Sequence, residues 1–589
     1  MNYYVSNTGS DAHPGSLAQP FRTLQKAADT MQAGDIAYIR SGIYREWVKP
    51  PRGGDSEERR ITYAAYPGEY PEIKGSERIT DWRRESGTVW MAVRPNAFFG
   101  GYNPYALGIT GEWLEWTRGL HRGDVYVNGD PLRETADDAE LAATVGMWAA
   151  TVDADRTTIR ANFGVKDPNR ELTEIQVREL VFFPERAGVS YITVRGLTLM
   201  HAANNWAPPE SFQRGLIGVN WGRGWIIEHC RISDAKCVGI SSGHFDPASP
   251  PPALDIESVG HHIVRHNHIR RCGEAGIAGN LGFCASRIEY NWIEEINHKV
   301  EFGGEETAGI KVHTAVDVEV RGNLIRRVRD GRGHGGGDYP GIWIDWCNQG
   351  ARVTGNVVYE TDHYGLFLEA CHGPLLVDNN IFIGRVLRLH AKRVVMAHNL
   401  FIDSGFYYQD WTADQRTPAW FAPHSWRAAG SGRMRVEGNR FFNNIFVRSH
   451  LPAPPQPVDG QSDDNLYCRC RIEAPPEAHS VVADEDGPTV TIRDAPEGVE
   501  LEIRLTEAVS AVPARPVKPG RFGIFAEVQQ GLEDHTGRPV GIDADIGGAP
   551  RDPARPTVGP VERTGSPVVR IRLKVGPMKE DPYHAGGAT

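Results

Sequence analysis

Two short phrases in this chain carry an acid in the same place. Gly341-Ile342-Trp343-Ile344-Asp345 and Gly365-Leu366-Phe367-Leu368-Glu369 both read glycine, apolar, aromatic, apolar, carboxylate. A period of two puts the branched apolar residues on one face and the aromatic and the acid on the other. Paired carboxyl groups are the equipment of glycoside hydrolysis, in which one acid protonates the leaving oxygen and the other attacks or activates water. Upstream, Gly309-Ile310-Lys311-Val312-His313 repeats the frame with a lysine and a histidine. In a common register His313, Asp345 and Glu369 form one column, and Lys311, Trp343 and Phe367 form another. Stacked coils of a parallel β-helix take roughly 20–30 residues each and lie about 4.8 Å apart. Asp345 and Glu369 then stand side by side on adjacent rungs. Carboxyl groups about 5–5.5 Å apart serve retention and about 6.5–9.5 Å inversion, so the ladder predicts the retaining class. A solvated acid pair on the outside of a coil is the plainer alternative. Against it stand the aromatics on the same face, with Trp346 and His372 close by, because sugar sites need aromatic walls.

Positioning such rungs requires a solenoid. A second phrase, Asn-x-apolar, recurs at Asn267, Asn291, Asn323, Asn356, Asn380 and Asn399. Coils of ~20–24 residues with loop insertions account for it better than a helical or barrel fold. Stacked Asn side chains can bond to the backbone of adjacent coils, so this repeat reads as structural. The expected fold is all-β: a right-handed parallel β-helix with an inserted β-sandwich. Residues 1–75 hold an N-terminal cap, with helical periodicity from Pro20 to Ala28, and the first coils. Residues 76–184 lose the coil period, show short strands and the hairpin signal Asn128-Gly129, and read as the sandwich. Its polar and aromatic stretch from Asn96 to Tyr105 reads as a loop, either buried against a neighbour or lining a site. Residues 185–450 form the main helix with the catalytic face. The long Asn spacings there mark loops at 301–306, at 331–340 (GRGHGGGDYP) and at 403–435, the last with Trp411, Trp420 and Trp426. LPAPPQPVDG is a Pro-rich connector, and 451–589 is an all-β segment that packs on or caps the helix.

Composition narrows the function. Charged residues make up 24% and hydrophobic ones 40%, as in a globular protein. The net charge of −11, with Lys and Arg scattered, argues against nucleic acid, which wants a basic stripe. No stretch reaches 18 apolar residues, so no membrane span is expected. The N-terminus shows no signal-peptide pattern. The eight cysteines fit no metal template and read as free thiols, with a cytoplasmic location expected. No cofactor or metal is called for. The expected partner is a small oligosaccharide, and a homo-oligomer is compatible with the sequence.

GIWIDWCNQG followed by GLFLEACHGP, with AGIKVH upstream and FFGGYNPY in the insert, resembles glycoside hydrolase family 120, the β-xylosidases. The order of parts, a β-helix interrupted early by a sandwich, is also similar. The resemblance runs from Tyr3 to about Phe446 and more loosely beyond. It implies Asp345 as nucleophile and Glu369 as general acid/base. It implies Glu306 as a substrate-binding acid and Trp113 of the sandwich as a residue facing the sugar; Asn103 is a candidate substrate-binding residue from the aromatic loop. Two features depart from the family pattern: the longer GRGHGGGDYP loop, and Cys347 after Asp345-Trp346.

The expected reaction is release of xylose from the non-reducing end of a β-xyloside with retention. Lys311 and His313 would hold Asp345 ionised and bond sugar hydroxyls, with Trp343, Trp346 and His372 shaping the site. A polysaccharide lyase is the first alternative. It needs Ca²⁺-binding acids and a basic groove, where this face offers an acid pair. A non-catalytic carbohydrate-binding β-helix is the second.

Overall fold

The computed structural model describes residues 1–208, 213–243, 256–330, 339–409, 416–453, 460–496, 498–563 and 565–577. Parallel strands stack into three sheets of a right-handed β-helix, with thirteen, thirteen and eight strands among the described residues. The first sheet runs from Asn2–Val5 to Gln461–Asp463 and the second from Ile43–Tyr44 to Val481–Ala483. The third runs from Ile217–Gly218 to Phe406–Tyr408 and carries the acidic phrases.

The turn between the first and second sheets explains the Asn repeat. His266, Tyr290, Gly322, Gly355, Asn379 and His398 each take the left-handed conformation, and a fully buried Asn follows each of them. Each Asn amide donates to the side-chain oxygen of the Asn one coil on. The chain of bonds runs from Asn267 through Asn291, Asn323, Asn356 and Asn380 to Asn399 at 2.9–3.0 Å. It continues to Asn444 and Asn465, where the sequence phrase is Asn-x-apolar again at spacings of 45 and 21 residues. A buried amide without such partners would cost about 1–3 kcal/mol, so the ladder fixes register. Inside the coil, Phe382, Phe401, Phe446 and Tyr467 stack nearly parallel at 4.8–5.7 Å. At the N-terminal end the helix Leu24–Thr30, capped by Thr23, covers the core with Leu24, Ala27 and Ala28.

The insertion leaves the second sheet after Glu72–Lys74 and consists of a four-stranded and a five-stranded sheet. Their facing residues share one core, including Val125, Val127 and Ile175 from one and Ala92, Trp148 and Ile159 from the other. Asn128 and Gly129, both with positive φ, turn the predicted hairpin. The coil resumes slightly earlier than the sequence suggests. Phe182 already bridges Val48 and Ile217 in parallel, because an apolar run such as Leu180–Phe183 has no period that tells insert from coil. Buried ion pairs lock the two parts. Asp124 of the insertion meets Lys236 at 3.2 Å and Lys299 at 2.6 Å, and both lysines also meet Glu301.

The solenoid also ends later than residue 450. Strands Gln461–Asp463, Leu466–Cys468 and Val481–Ala483 extend the parallel ladders. The coils therefore continue past the proline-rich stretch, whose residues 454–459 lie outside the described residues. The true C-terminal segment covers two outer faces. Antiparallel strands Thr489–Ala495, Gly498–Arg504 and Val568–Leu573 pack on outward Leu324, Val357, Ile381 and Leu400 of the second sheet. Val517, Phe525, Val528 and Ile542 pack on Leu376, Val395 and Phe442 of the first. Adjacent apolar pairs such as Val357-Val358 and Ile381-Phe382 are the mark of strands covered on both faces.

Candidate active site

Five consecutive rungs of the third sheet build the site: Ala275–Asn280, Ala308–His313, Ile342–Asp345, Leu366–Cys371 and Leu387–Ala391. Ile310, Ile342, Ile344, Leu366 and Leu368 point into the core, which turns the alternate residues outward. The phrase-opening glycines are required by close approach. A Cβ on Gly309 would lie 2.5 Å from the Gly341 carbonyl oxygen. One outward column reads Lys311, Trp343, Phe367, Arg388 across the ladder. The next reads Asn280, His313, Asp345 and then Glu369, His390. Between the two acidic strands the ladder closes at Ile344 and Leu368, one residue before the acids. Trp346, Cys347 and Ala370 then adopt positive φ, so the chain bends away directly behind each acid.

The outward residues are nonetheless covered, with Asp345 6%, Glu369 8%, Glu306 5% and Lys311 2% exposed. Lys311 is the hub. Its ammonium lies 2.6 Å from Glu306 and 3.1 Å from Asp345, donates to the Glu305 carbonyl and sits 3.6 Å from the centre of the Trp343 ring. Burial works against its charge, but Glu306, Asp345 and Glu369 outweigh burial and raise its pKa. Trp343 joins the two acids. Its face carries the cation that pairs with Asp345, and its indole N–H donates to Glu369 at 3.1 Å. Phe367 packs against it at 5.0 Å. His313 is fixed through Nδ1 by Asn280 and Thr314.

Two walls flank these rungs. On the side where the strands begin, Leu114–Thr117 of the insertion pairs antiparallel with Phe302–Gly304. There the Trp113 carbonyl accepts from the Glu305 amide at 3.0 Å, which anchors the segment that presents Glu306. The Trp113 side chain is 53% exposed. On the side where the strands end, the hairpin of Ala419–Phe421 and Ala428–Ser431 packs Phe421 against Val316 and Cys347, with Trp346 beside them. Arg416 lies over the Trp346 ring.

Two residues expected at the sugar serve elsewhere. Asn103 donates to Thr157 at 2.7 Å and accepts from the Tyr105 amide within the insertion. Its loop is spent on packing, since Phe99 and Tyr105 fill the sandwich core and the Tyr102 hydroxyl bonds to Ala203 of the coil. His372 is a buried anchor for the hairpin. Its Nε2 donates to the Pro418 carbonyl at 2.9 Å and its ring packs on Trp420. Burial, then Lys392, pushes its pKa down to about 4. Trp411 and residues 331–338 of the glycine-rich loop lie outside the described residues.

Sequence reading missed Arg388, His390 and Glu274. Leu387-Arg388-Leu389-His390 repeats the pattern of Ile310-Lys311-Val312-His313 but lacks the leading glycine that marked the other rungs. Glu274 accepts from the Ala207 amide. Burial, then Glu306, raises its pKa well above the usual range. No sequence phrase flags it.

Among the described residues, Lys311 is the ammonium that pairs with both Glu306 and Asp345. Lys311→Met is expected to lower stability by about 3 kcal/mol, the cost of leaving buried charge unpaired, as read by denaturant unfolding. Lys311→Arg is not expected to restore it, because a planar guanidinium does not fit a point-charge site over an indole face.

Comparison with known proteins agrees with this construction. Residues 79–145 match the profile described as glycoside hydrolase 120, insertion domain, and residues 187–399 that of a right handed beta helix region. The solved structure described as the complex of XylC with xylose is 31% identical. The alignment covers 97% of this chain and 100% of that one, at a TM-score of 0.88. A GH136 lacto-N-biosidase from Eubacterium ramulus is 14% identical over 82% of this chain and 68% of that one, at a TM-score of 0.40. A search of curated proteins gives no match. With the family's insertion at 79–145, the β-helix around it and a relative aligned from end to end, this chain belongs to glycoside hydrolase family 120.

Proposed function

We propose that the protein is a β-xylosidase that releases xylose from the non-reducing end of β-xylosides with retention of configuration. The observation that carries this reading is the pair of equivalent acids on successive rungs. Asp345 is paired with the Lys311 ammonium and Glu369 accepts the Trp343 N–H. The residues before them, Ile344 and Leu368, pair on adjacent strands, and a strand spacing of about 4.8 Å suits the roughly 5–5.5 Å between the carboxyls of a retaining pair. Asp345, with its counter-ion, attacks that carbon and forms a covalent glycosyl-enzyme. Glu369 gives its proton to the leaving oxygen and then takes one from water. Glu306 and His313 bond sugar hydroxyls, and Trp113 offers a half-exposed ring at the rim. The two walls, one from the insertion and one from the 419–431 hairpin, favour a short pocket over an open groove and hence action at chain ends. The xylose bound in the XylC structure supports the pentose.

A screen of nitrophenyl glycosides tests the sugar, with β-xyloside expected to be the best substrate. Proton NMR of the first product tests the stereochemistry. β-Xylose should appear before mutarotation, and α-xylose first would overturn retention.

A further inference from the structure

The C-terminal segment reaches the active site through one histidine. His424, in the turn of the 419–431 hairpin, bonds through Nδ1 to Asp317 of the coil at 2.8 Å. Through Nε2 it bonds to Glu533 of the C-terminal segment at 3.1 Å. The same three parts meet again one layer deeper. Gln530 donates to the other oxygen of Asp317 at 3.4 Å and accepts from Gln349 at 2.7 Å. Gln349 in turn makes both backbone bonds to Phe421 of the hairpin, at 2.9 and 3.0 Å. Gln349 follows Asp345 by four residues, and Asp317 follows His313 by four. Both therefore sit in turns that leave the catalytic rungs. The hairpin so held is the one that backs Trp346 with Arg416 and Cys347 with Phe421, and that receives His372 at Pro418.

We propose that His424 and the Gln530–Glu533 stretch are positioning residues for the carboxylate pair, and that the hairpin wall holds its place only while His424 carries its proton between Asp317 and Glu533. The inference rests on Asp345 and Glu369 being the reacting acids. The titratable groups facing His424 are Asp317 from the coil and Glu533 from the C-terminal segment, with His535 of that segment beyond Asp317. Burial raises the Asp317 pKa, and the bonds from His424 and Gln530 work against that rise. The bond to Asp317 raises the His424 pKa to about 9, with burial opposing and Glu533 adding to the rise. An imidazole in the unfolded chain titrates near 6.5. The sign follows: the clamp is complete below about pH 6.5 and is lost as pH climbs through 9.

The test compares the full-length wild type with His424→Gln, His424→Lys and Glu533→Gln. The profile of kcat/KM against pH is taken on dinitrophenyl β-xyloside, whose leaving group needs no proton from Glu369, and is read beside hydrogen–deuterium exchange of peptides covering 416–431. Wild type should lose activity through pH 9 as exchange in the hairpin rises beyond the intrinsic rate. His424→Gln should be about tenfold less active at pH 7, exchange fast at every pH and lack the limb near 9. His424→Lys keeps a cation between the two acids and should move the limb to higher pH. Glu533→Gln should move it lower. An unchanged alkaline limb in His424→Gln, or hairpin exchange that does not respond to pH in the wild type, would overturn the proposal. Because exchange reads the hairpin whether or not xylosides are cleaved, an inactive protein with a pH-gated hairpin would refute the proposed activity and leave the clamp standing.

Discussion

Asp345→Ala is expected to lower kcat on an activated β-xyloside by on the order of 10⁴-fold or more, the scale seen when a covalent nucleophile is removed. The loss should be chemical rather than structural. Asp345 projects away from the coil core, and its strand stays fixed by Ile342 and Ile344, both fully buried. Lys311 keeps Glu306 at 2.6 Å as its remaining partner, so no buried ammonium is stranded. Circular dichroism and the unfolding midpoint should therefore stay close to wild type while turnover vanishes. A 2-fluoro-xyloside, which forms the glycosyl-enzyme faster than it is hydrolysed, should label Asp345 alone. Label on Glu369 would keep the rungs and reverse the roles. Label on Glu306 would mean that Lys311 holds the nucleophile from its other side.

The acids and the rungs that bear them could be read from sequence because their signal is local. Glycine, two core-facing apolar residues, an aromatic and an acid fit into five positions, and the ladder copies them at one coil's distance. The Asn repeat was legible for the same reason, since each buried amide must find the next. What was hidden comes from contacts made far along the chain. His390 lies in register with Glu369, yet its strand is preceded by Val386 rather than by glycine. The hairpin at 419–431 shows no coil phrase, and only its bonds to Gln349, His372 and the C-terminal segment say what it does. The insertion misled in the opposite direction. An aromatic loop such as 96–105 carries the same residue types whether it lines a sugar site or fills a sandwich, and here Phe99 and Tyr105 fill the sandwich. The part of the insertion that does reach the site, Trp113 to Thr117, acts through backbone pairing, which leaves no mark on residue type.

That division of labour places both carboxylates under elements from elsewhere in the chain, and it sharpens what Glu369→Ala should do. On xylobiose, whose leaving group needs a proton, kcat/KM should fall by roughly 10²–10⁴-fold, the usual weight of a general acid. On dinitrophenyl xyloside, which leaves unaided, glycosylation should survive and the missing base should stall the second step. The intermediate then accumulates, so KM falls together with kcat and the first turnover appears as a burst. Azide needs no base and should restore turnover by attacking the glycosyl-enzyme, giving the β-xylosyl azide. The Trp343 N–H that holds Glu369 at 3.1 Å sharpens the contrast. Trp343→Phe keeps the ring beneath Lys311 but frees the carboxyl, so it should show a milder loss on xylobiose and no azide rescue, because its base is still present. An α-azide from the Glu369 variant would mean that azide had entered from the face assigned to the nucleophile. Asp345 would then be the proton donor and the two roles would be exchanged.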